Sequence, residues 1–552
     1  MLIIVRNVSI DPVDGLPSLP VKKLLPLNTE SEETLRCALQ WWEFCGSAHG
    51  HCPPQLSIES VLPDRVIDVS HEIGPEYVRL VESNGEKHAY VCLSYCWGKI
   101  NTEYVTTKEN RPFRNNKIIL ADLPKTIRDA VNFTRRLKQK FLWVDAICIV
   151  QNDEEDWRMQ GQQMASIYRN SSLTIAAAGA ASANEGLFFE TASKLRNESP
   201  LDLQEFGISF PVYTRVKSTY EAGHLFSERN PDLLTRGWVF QERLISPRVL
   251  YFGKNEIAWE CRAAHACECE PRLVNYPPTT NLDSDTLKKN PKAVFSQFTV
   301  NTSGTSVLFP SSLWHKMVDV YTSLNLTFNK DRFPALSGLA TEVQRSRPED
   351  EYIAGLWKST FMADLLWRRH RKPSDTGPRK SETEYIAPSW SWASAGKAIE
   401  HDELDIGAPE FATLLIADCQ THPDNPKGQV TSGWVTIQSK IVEVTCRAAS
   451  AGYKLYSADH VLMFSDADYS LFDNIPGRYC IKDGSKLCCC LIAHGPIYLR
   501  PRVIKNMGLV LYAIDDAFET FVRVGIFEET FIKGQEWSLF GDVTEQTVIT
   551  IF

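Results

Sequence analysis

The segment Thr235-Arg236-Gly237-Trp238-Val239-Phe240-Gln241-Glu242-Arg243 sets one carboxylate, Glu242, four residues after Trp238 and just beyond an Arg-Gly turn. In a helix, positions i and i+4 share a face, so Trp238 would wall a pocket into which Glu242 points. A carboxylate beside an aromatic wall stabilises developing positive charge, which is what cleavage of a glycosidic bond requires. The competing reading is a helix that packs Trp238 and Phe240 and leaves Glu242 solvated. A second set of capable side chains is Cys45-x3-His49-x-His51-Cys52, followed far downstream by Cys261, His265, Cys267 and Cys269. A structural zinc needs four ligands, two of which the later group would have to supply. Neither group has paired C-x2-C spacing, and idle or buried thiols produce such patterns more often, so no metal is assigned from sequence.

The chain that must position these residues has 552 residues, too many for one hydrophobic core. Its composition, 43% hydrophobic and 23% charged, is that of a globular protein. A net charge of −9 argues against nucleic acid and anionic membrane surfaces as partners, while leaving room for a locally bound phosphate. The apolar start Met1–Val5 is too short for a signal peptide, and no stretch offers the ~20 apolar residues of a membrane helix. Fifteen scattered cysteines then fit reduced thiols in the cytoplasm.

Periodicity supplies the elements. Glu32 to Cys45 has helical spacing within a leader of about 60 residues. Arg65–Val69 and Tyr77–Val81 read as short strands. The run Ala89–Tyr95 reads as a buried central strand, and so do Phe141–Ile149 and Ser172–Ala178. Between them lie two predicted helices. One is capped by Asp122 ahead of Pro124, and the other opens at the acidic turn 152–156 and runs to Tyr168. Strand, helix, strand, helix, strand predicts a doubly wound parallel α/β sheet. Ligands of such sheets sit at the carboxyl ends of the strands, which selects Ser94, Tyr95, Trp97 and Gly98, the segment from Asp145 to Gln151, and Gly179 to Asn184. No dinucleotide or P-loop glycine signature is present. Further on, Arg248–Gly253 and Ile257–Cys261 predict a hairpin, and 271–310 a long loop. Helices are predicted over Trp314–Leu326, Phe333–Arg345 and Ala354–Trp367, and a β-rich domain from Tyr385 onward.

Leu93-Ser94-Tyr95-Cys96-Trp97-Gly98, the run from Leu142 to Gln151, Met164-Ala165-Ser166-Ile167-Tyr168 and Arg236–Arg243 together resemble the fungal heterokaryon-incompatibility (HET) domain, in order and spacing, over about residues 88–250. Ala354-Gly355-Leu356-Trp357 and Pro388–Ser394 resemble pieces found in long HET proteins, the second read as locking one domain onto another. The implied organisation is an N-terminal helical leader (1–60), a HET domain (61–270), a linker and helical region (271–384) and a β-rich C-terminal domain (385–552).

The HET domain is in turn remotely similar to TIR domains, through Leu93-Ser94-Tyr95, the acidic residue Asp145 and the W-x-x-x-E ending at Glu242. The resemblance implies a TIR-like sheet and a cytoplasmic protein of allorecognition and programmed cell death. It implies hydrolysis of the nicotinamide–ribose bond of NAD or a related nucleotide, with Glu242 catalytic. Ser94, Tyr95, Trp97, Gly98, Asp145, Gln151, Trp238 and Arg236 would line the substrate site, with backbone amides near Gly98 or Gly179 on phosphate. NAD would be substrate, with no cofactor or metal. Two alternatives stay open: a non-enzymatic module that self-associates or binds a partner signalling protein, and a fold reused for small-molecule biosynthesis. Arg236 or Arg243 paired with Glu242 would silence the carboxylate.

Overall fold

The computed structural model describes residues 25–50, 60–98, 102–192, 231–276, 291–299, 310–370, 385–396, 409–449, 483–498, 500–515, 519–533 and 538–552, with a few shorter pieces. The chain forms two compact units, Met1–Thr305 and Ser306–Phe552. No helix among the described residues is long and apolar enough to cross a membrane.

The first unit is built on a ten-stranded sheet. Helix α1 (Glu32–Ala48) precedes the strands β1 (Arg65–Asp68), β2 (Tyr77–Glu82) and β3 (Tyr90–Ser94). Strand β4 (Ile118–Ile119), helix α2 (Lys125–Arg136), strand β5 (Phe141–Trp143) and the single turn α3 (Asp145–Cys148) follow. Helix α4 (Glu154–Asn170) leads to β6 (Leu173–Ala176), and helix α5 (Gly237–Ile245) to β7 (Arg248–Phe252). Strands β8 (Ile257–Cys261), β9 (Ala264–Cys267) and β10 (Glu270–Asn275) make an antiparallel arm, and α6 (Pro291–Thr299) closes the unit. The sheet order is β10-β9-β8-β7-β6-β3-β5-β1-β2-β4.

The four middle strands β7, β6, β3 and β5 run parallel. In chain order they are fourth, third, first and second, so the parallel centre has the order 2-1-3-4. Its switch point lies between β3 and β6, where an open α/β sheet forms its ligand crevice at the carboxyl ends. All five residues of β3 are buried, as a strand flanked on both sides requires. The predicted parallel centre is therefore present, within a sheet whose outer strands are antiparallel.

Several elements differ from expectation. The run Phe141–Ile149 leaves the sheet after Trp143. The Ala146 amide donates to the Asp145 carboxylate at 2.7 Å and the Cys148 amide to the Val144 carbonyl at 2.7 Å, starting a helical turn. Ala146, Ile147 and Cys148 stay buried, which is why the apolar run looks like strand throughout. Asp122 does not cap α2, because Pro124 occupies the cap position and Asp122 lies in the preceding turn. The predicted loop 271–310 contains most of β10 and all of α6.

In the second unit, the helix expected over Ala354–Trp367 is reduced to the short turns Lys358–Thr360 and Phe361–Asp364. Ala354 and Gly355 have φ of 43° and 97° and turn a small hairpin between Tyr352–Ile353 and Leu356–Trp357. A Cβ on Gly355 would sit 2.3 Å from the Trp392 Nε1, and the Gly355 carbonyl accepts the indole N–H groups of Trp314 and Trp392. Trp390 and Trp392 are buried within this unit's own core. Helices Ser311–Thr322 and Pro334–Ser346 and a long, mostly antiparallel sheet complete it, as the β-rich pattern predicted.

One buried ion pair orders the turn that follows β5. Asp153 caps α4, accepting from the amides of Glu155 and Asp156. In the first turn, Asp156 receives the Arg65 guanidinium at 2.6 and 2.7 Å and the Val150 amide at 2.7 Å, while Arg65 Nε reaches the Cys148 carbonyl at 2.6 Å. Removing one partner leaves an uncompensated buried charge. Asp156→Ala is expected to cost about 3–5 kcal/mol, seen as lost amide-exchange protection across β1 and α4.

Candidate functional site

Ser94 ends β3 at the switch point, and its hydroxyl donates to Glu242 Oε2 at 2.5 Å. Ser94 is 3% exposed and Glu242 7%. Glu242 arrives on α5 despite the long stretch between β6 and Trp238, because that helix is fastened from several directions. Its following residue, Arg243, binds Glu260 of β8 through two bonds of 2.9 and 2.8 Å, and Tyr251 donates to the same carboxylate at 2.6 Å. Ser246 donates to the Glu242 carbonyl at 2.6 Å, and its hydroxyl also bonds the Thr174 hydroxyl of β6 at 2.8 Å. The buried Lys292 of α6 donates to the carbonyls of Arg243 and Ser246. Burial lowers the Lys292 ammonium to about 7.

Asp145 stands beside this pair. Its carboxylate accepts the Trp97 indole N–H at 2.8 Å and the Ala146 amide at 2.7 Å, and it remains partly exposed. Arg236, at the start of α5, donates to the Tyr95 carbonyl at 2.6 Å, and its positive charge is felt by both Asp145 and Glu242. The buried hydroxyls of Tyr95 and Tyr104 bear on each other, Tyr95 also on the Asp145 carboxyl, and both sense the charge of Asp145. Tyr168 donates to the Leu93 carbonyl at 3.1 Å and also bears on the Glu242 carboxyl.

Burial pushes the Glu242 carboxyl up to about 7. The Ser94 and Tyr168 hydroxyls and the Arg236 charge pull the other way, while the negative charge of Asp145 adds to the rise. Asp145 is also raised, again by burial, against the Trp97 and Ala146 donors and Arg236. Both carboxyls thus lie above their ordinary range, and Glu242, at about 7, can accept or release a proton near neutrality.

The carboxyl ends of β3 and β5 and the first turns of α5 thus bring together Ser94, Tyr95, Trp97, Asp145, Arg236 and Glu242 from the residues expected on sequence. Trp238 instead packs edge-on against Trp157 of α4 at 6.4 Å between ring centres. The Gln151 side chain ties its own turn, donating to the carbonyls of Asp145 and Ile149. Gly98 is exposed at φ 77°, and a Cβ there would meet Ser182 Cβ at 2.5 Å, so the loops after β3 and β6 touch. The Gly179 amide is committed to the Phe252 carbonyl at 2.7 Å and does not face a phosphate. Neither arginine forms an ion pair with Glu242 among the described residues, since Arg243 belongs to Glu260. Tyr104 and Tyr168 were not selected from sequence. Tyr168 closes the Met164–Tyr168 motif, which was the available signal, whereas Tyr104 lies in a loop with none.

The family model of heterokaryon incompatibility protein (HET) matches residues 90–242, from the first residue of β3 to Glu242 itself. No curated protein and no solved structure matches the chain.

A carboxyl at about 7 in the fold and 4.5 in the unfolded chain binds more protons when folded, so stability falls as pH rises between those values. The cost is absent below pH 4.5 and complete above 7, at roughly 3 kcal/mol. Thermal melts should therefore show Glu242→Gln raising stability at pH 8 and leaving it nearly unchanged at pH 4.5. A gain that does not grow with pH contradicts this assignment of the buried charge.

Proposed function

Taking residues 90–242 as a heterokaryon-incompatibility (HET) domain, we propose that its crevice hydrolyses the nicotinamide–ribose bond of NAD or a related nucleotide, in the service of that incompatibility response. The observation that carries the reading is Glu242, buried and hydrogen-bonded to Ser94 at the switch point of a parallel sheet. Leu93-Ser94-Tyr95, Asp145 and the W-x-x-x-E glutamate are the features on which the resemblance to TIR domains rests.

Nicotinamide leaves a cationic precursor as a neutral molecule, so its departure needs no general acid. The bond between ribose C1′ and the pyridine nitrogen breaks with both electrons going to nitrogen. Ionised Glu242 stabilises the resulting oxocarbenium-like ribose, by its charge or by holding the ribose hydroxyls. Water attacks C1′ and loses a proton, giving ADP-ribose, nicotinamide and H⁺. That assigns one carboxylate a task ordinarily divided between two. Asp145 and Trp97 shape the wall, and the Tyr95 hydroxyl, which bears on Asp145, adds a donor for a polar guest.

The test is incubation of the purified full chain with NAD, following nicotinamide release by chromatography. Glu242→Gln should lower turnover by roughly 10²–10³, the loss typical of removing one transition-state electrostatic contact. The kcat/KM should rise with pH and level off above about 7, as Glu242 ionises. Turnover that survives Glu242→Gln removes that residue from the mechanism. The burial of Glu242 also suits a structural clasp, and absence of turnover on NAD and NADP would favour the interaction-module reading instead.

A further inference from the structure

Away from the crevice, Cys45, His49, Cys52 and Cys261 converge so that their three sulfurs and one ring nitrogen all lie within 4.8 Å of one another. Ligands around a tetrahedral zinc with Zn–S bonds near 2.3 Å stand about 3.8 Å apart. We infer that these four residues hold a structural zinc ion, through three thiolates and one imidazole.

The local folding explains the convergence. Cys45 and His49 are i and i+4 at the end of α1 and therefore share a face. The chain turns there, with the Cys52 amide donating to the His49 carbonyl at 3.0 Å, which carries the third ligand back. Cys261 is the last residue of β8, and its sulfur lies 3.4 Å from His49 Nδ1. All four residues are buried. The ring turns Nδ1 to the sulfurs and packs edge-on against Phe44, with Nε2 on its far side.

Charge supplies an independent argument. Arg248 is fully buried, with Nε 3.2 Å from the Cys45 sulfur, Nη1 donating to the Ser172 carbonyl at 3.4 Å and Nη2 donating to the Pro53 carbonyl. No carboxylate pairs with it among the described residues. A buried guanidinium without a counter-charge is costly. Zinc with three thiolates and a neutral imidazole carries a net charge of −1, and Arg248 N–H donation to a ligating sulfur is a usual outer contact. Place decides the role. Arg248 opens β7 and reaches the residue before β6, at the amino ends of the parallel strands, on the edge opposite Ser94 and Glu242. With all four positions taken by protein, the site has no room for substrate.

The experiment is elemental analysis of the purified full chain, with about one zinc per chain expected. Cys261→Ser and Cys52→Ser should each lose most of that zinc. His49→Cys should retain it, because four thiolates are an equally good zinc set, and Cys419→Ser in the second unit should retain it too. Should the serine variants fail to fold, the wild-type chain stripped with chelator and titrated with Co²⁺ gives the second readout. A thiolate-to-cobalt charge-transfer band and strong visible bands of a tetrahedral site, displaced by equimolar Zn²⁺, support the inference. Wild-type protein with no stoichiometric zinc and no such cobalt spectrum overturns it. A disulfide among Cys45, Cys52 and Cys261 in the purified chain, detected by mass spectrometry, overturns it equally.

Discussion

The hydrogen bond from Ser94 to Glu242 joins the end of the central strand to a helix 148 residues further on, and the rest of the first unit is arranged to keep it. Glu242 is a carboxyl taken almost wholly out of water, which is unfavourable unless donors meet it. Ser94, Tyr168 and the field of Arg236 meet it only in part, so the group settles near neutrality rather than as a fixed anion. A fully compensated carboxylate would be inert. This one is held ready to change charge.

Holding it there requires a rigid helix. Arg243, the very next residue, takes the strong two-pronged bond to Glu260, and the Thr174–Ser246 contact ties the helix end to β6. Arg243 and Glu242 thus divide the labour of one turn, with one side chain anchoring the helix in an ion pair while the other meets Ser94 without one. On the facing side, the Arg65–Asp156 pair stiffens the turn from Cys148 to Val150, which follows Asp145. The carboxyls of Asp145 and Glu242, which both feel the charge of Arg236, are therefore presented by separately braced segments.

Much of this was legible in the sequence, and the limits have physical causes. Ser94, Trp97, Asp145 and Glu242 announce themselves by residue type and by their places at strand and helix ends. Their meeting does not, because it depends on strand order, and β3 lying between β5 and β6 is a long-range choice. The Phe141–Ile149 run misleads because a buried helical turn and a buried strand are equally apolar over so few residues. Gln151 and Trp238 share the position of the site residues, and local contacts also engage them, Gln151 in its own turn and Trp238 against Trp157. Among the downstream cysteines, it is Cys261 that joins Cys45, since strand register rather than spacing brings the end of β8 to the end of α1.

The packing of α1 has a topological consequence. Trp41 donates to the Pro271 carbonyl at 2.6 Å and Thr34 to Glu268 at 2.7 Å, so residues before the matched segment are fastened to residues after it. Everything from Tyr90 to Glu242 is then a closed excursion with both feet pinned. Inside it, the residues that follow β6 are fastened in turn, the Leu187 amide on Asp129 at 2.9 Å and the Phe189 amide on Thr29 at 3.0 Å. Lengthening a loop with fixed ends costs only the logarithm of its length. In such a scaffold the pinned ends, more than the length of chain between them, fix where the enclosed carboxyl stands.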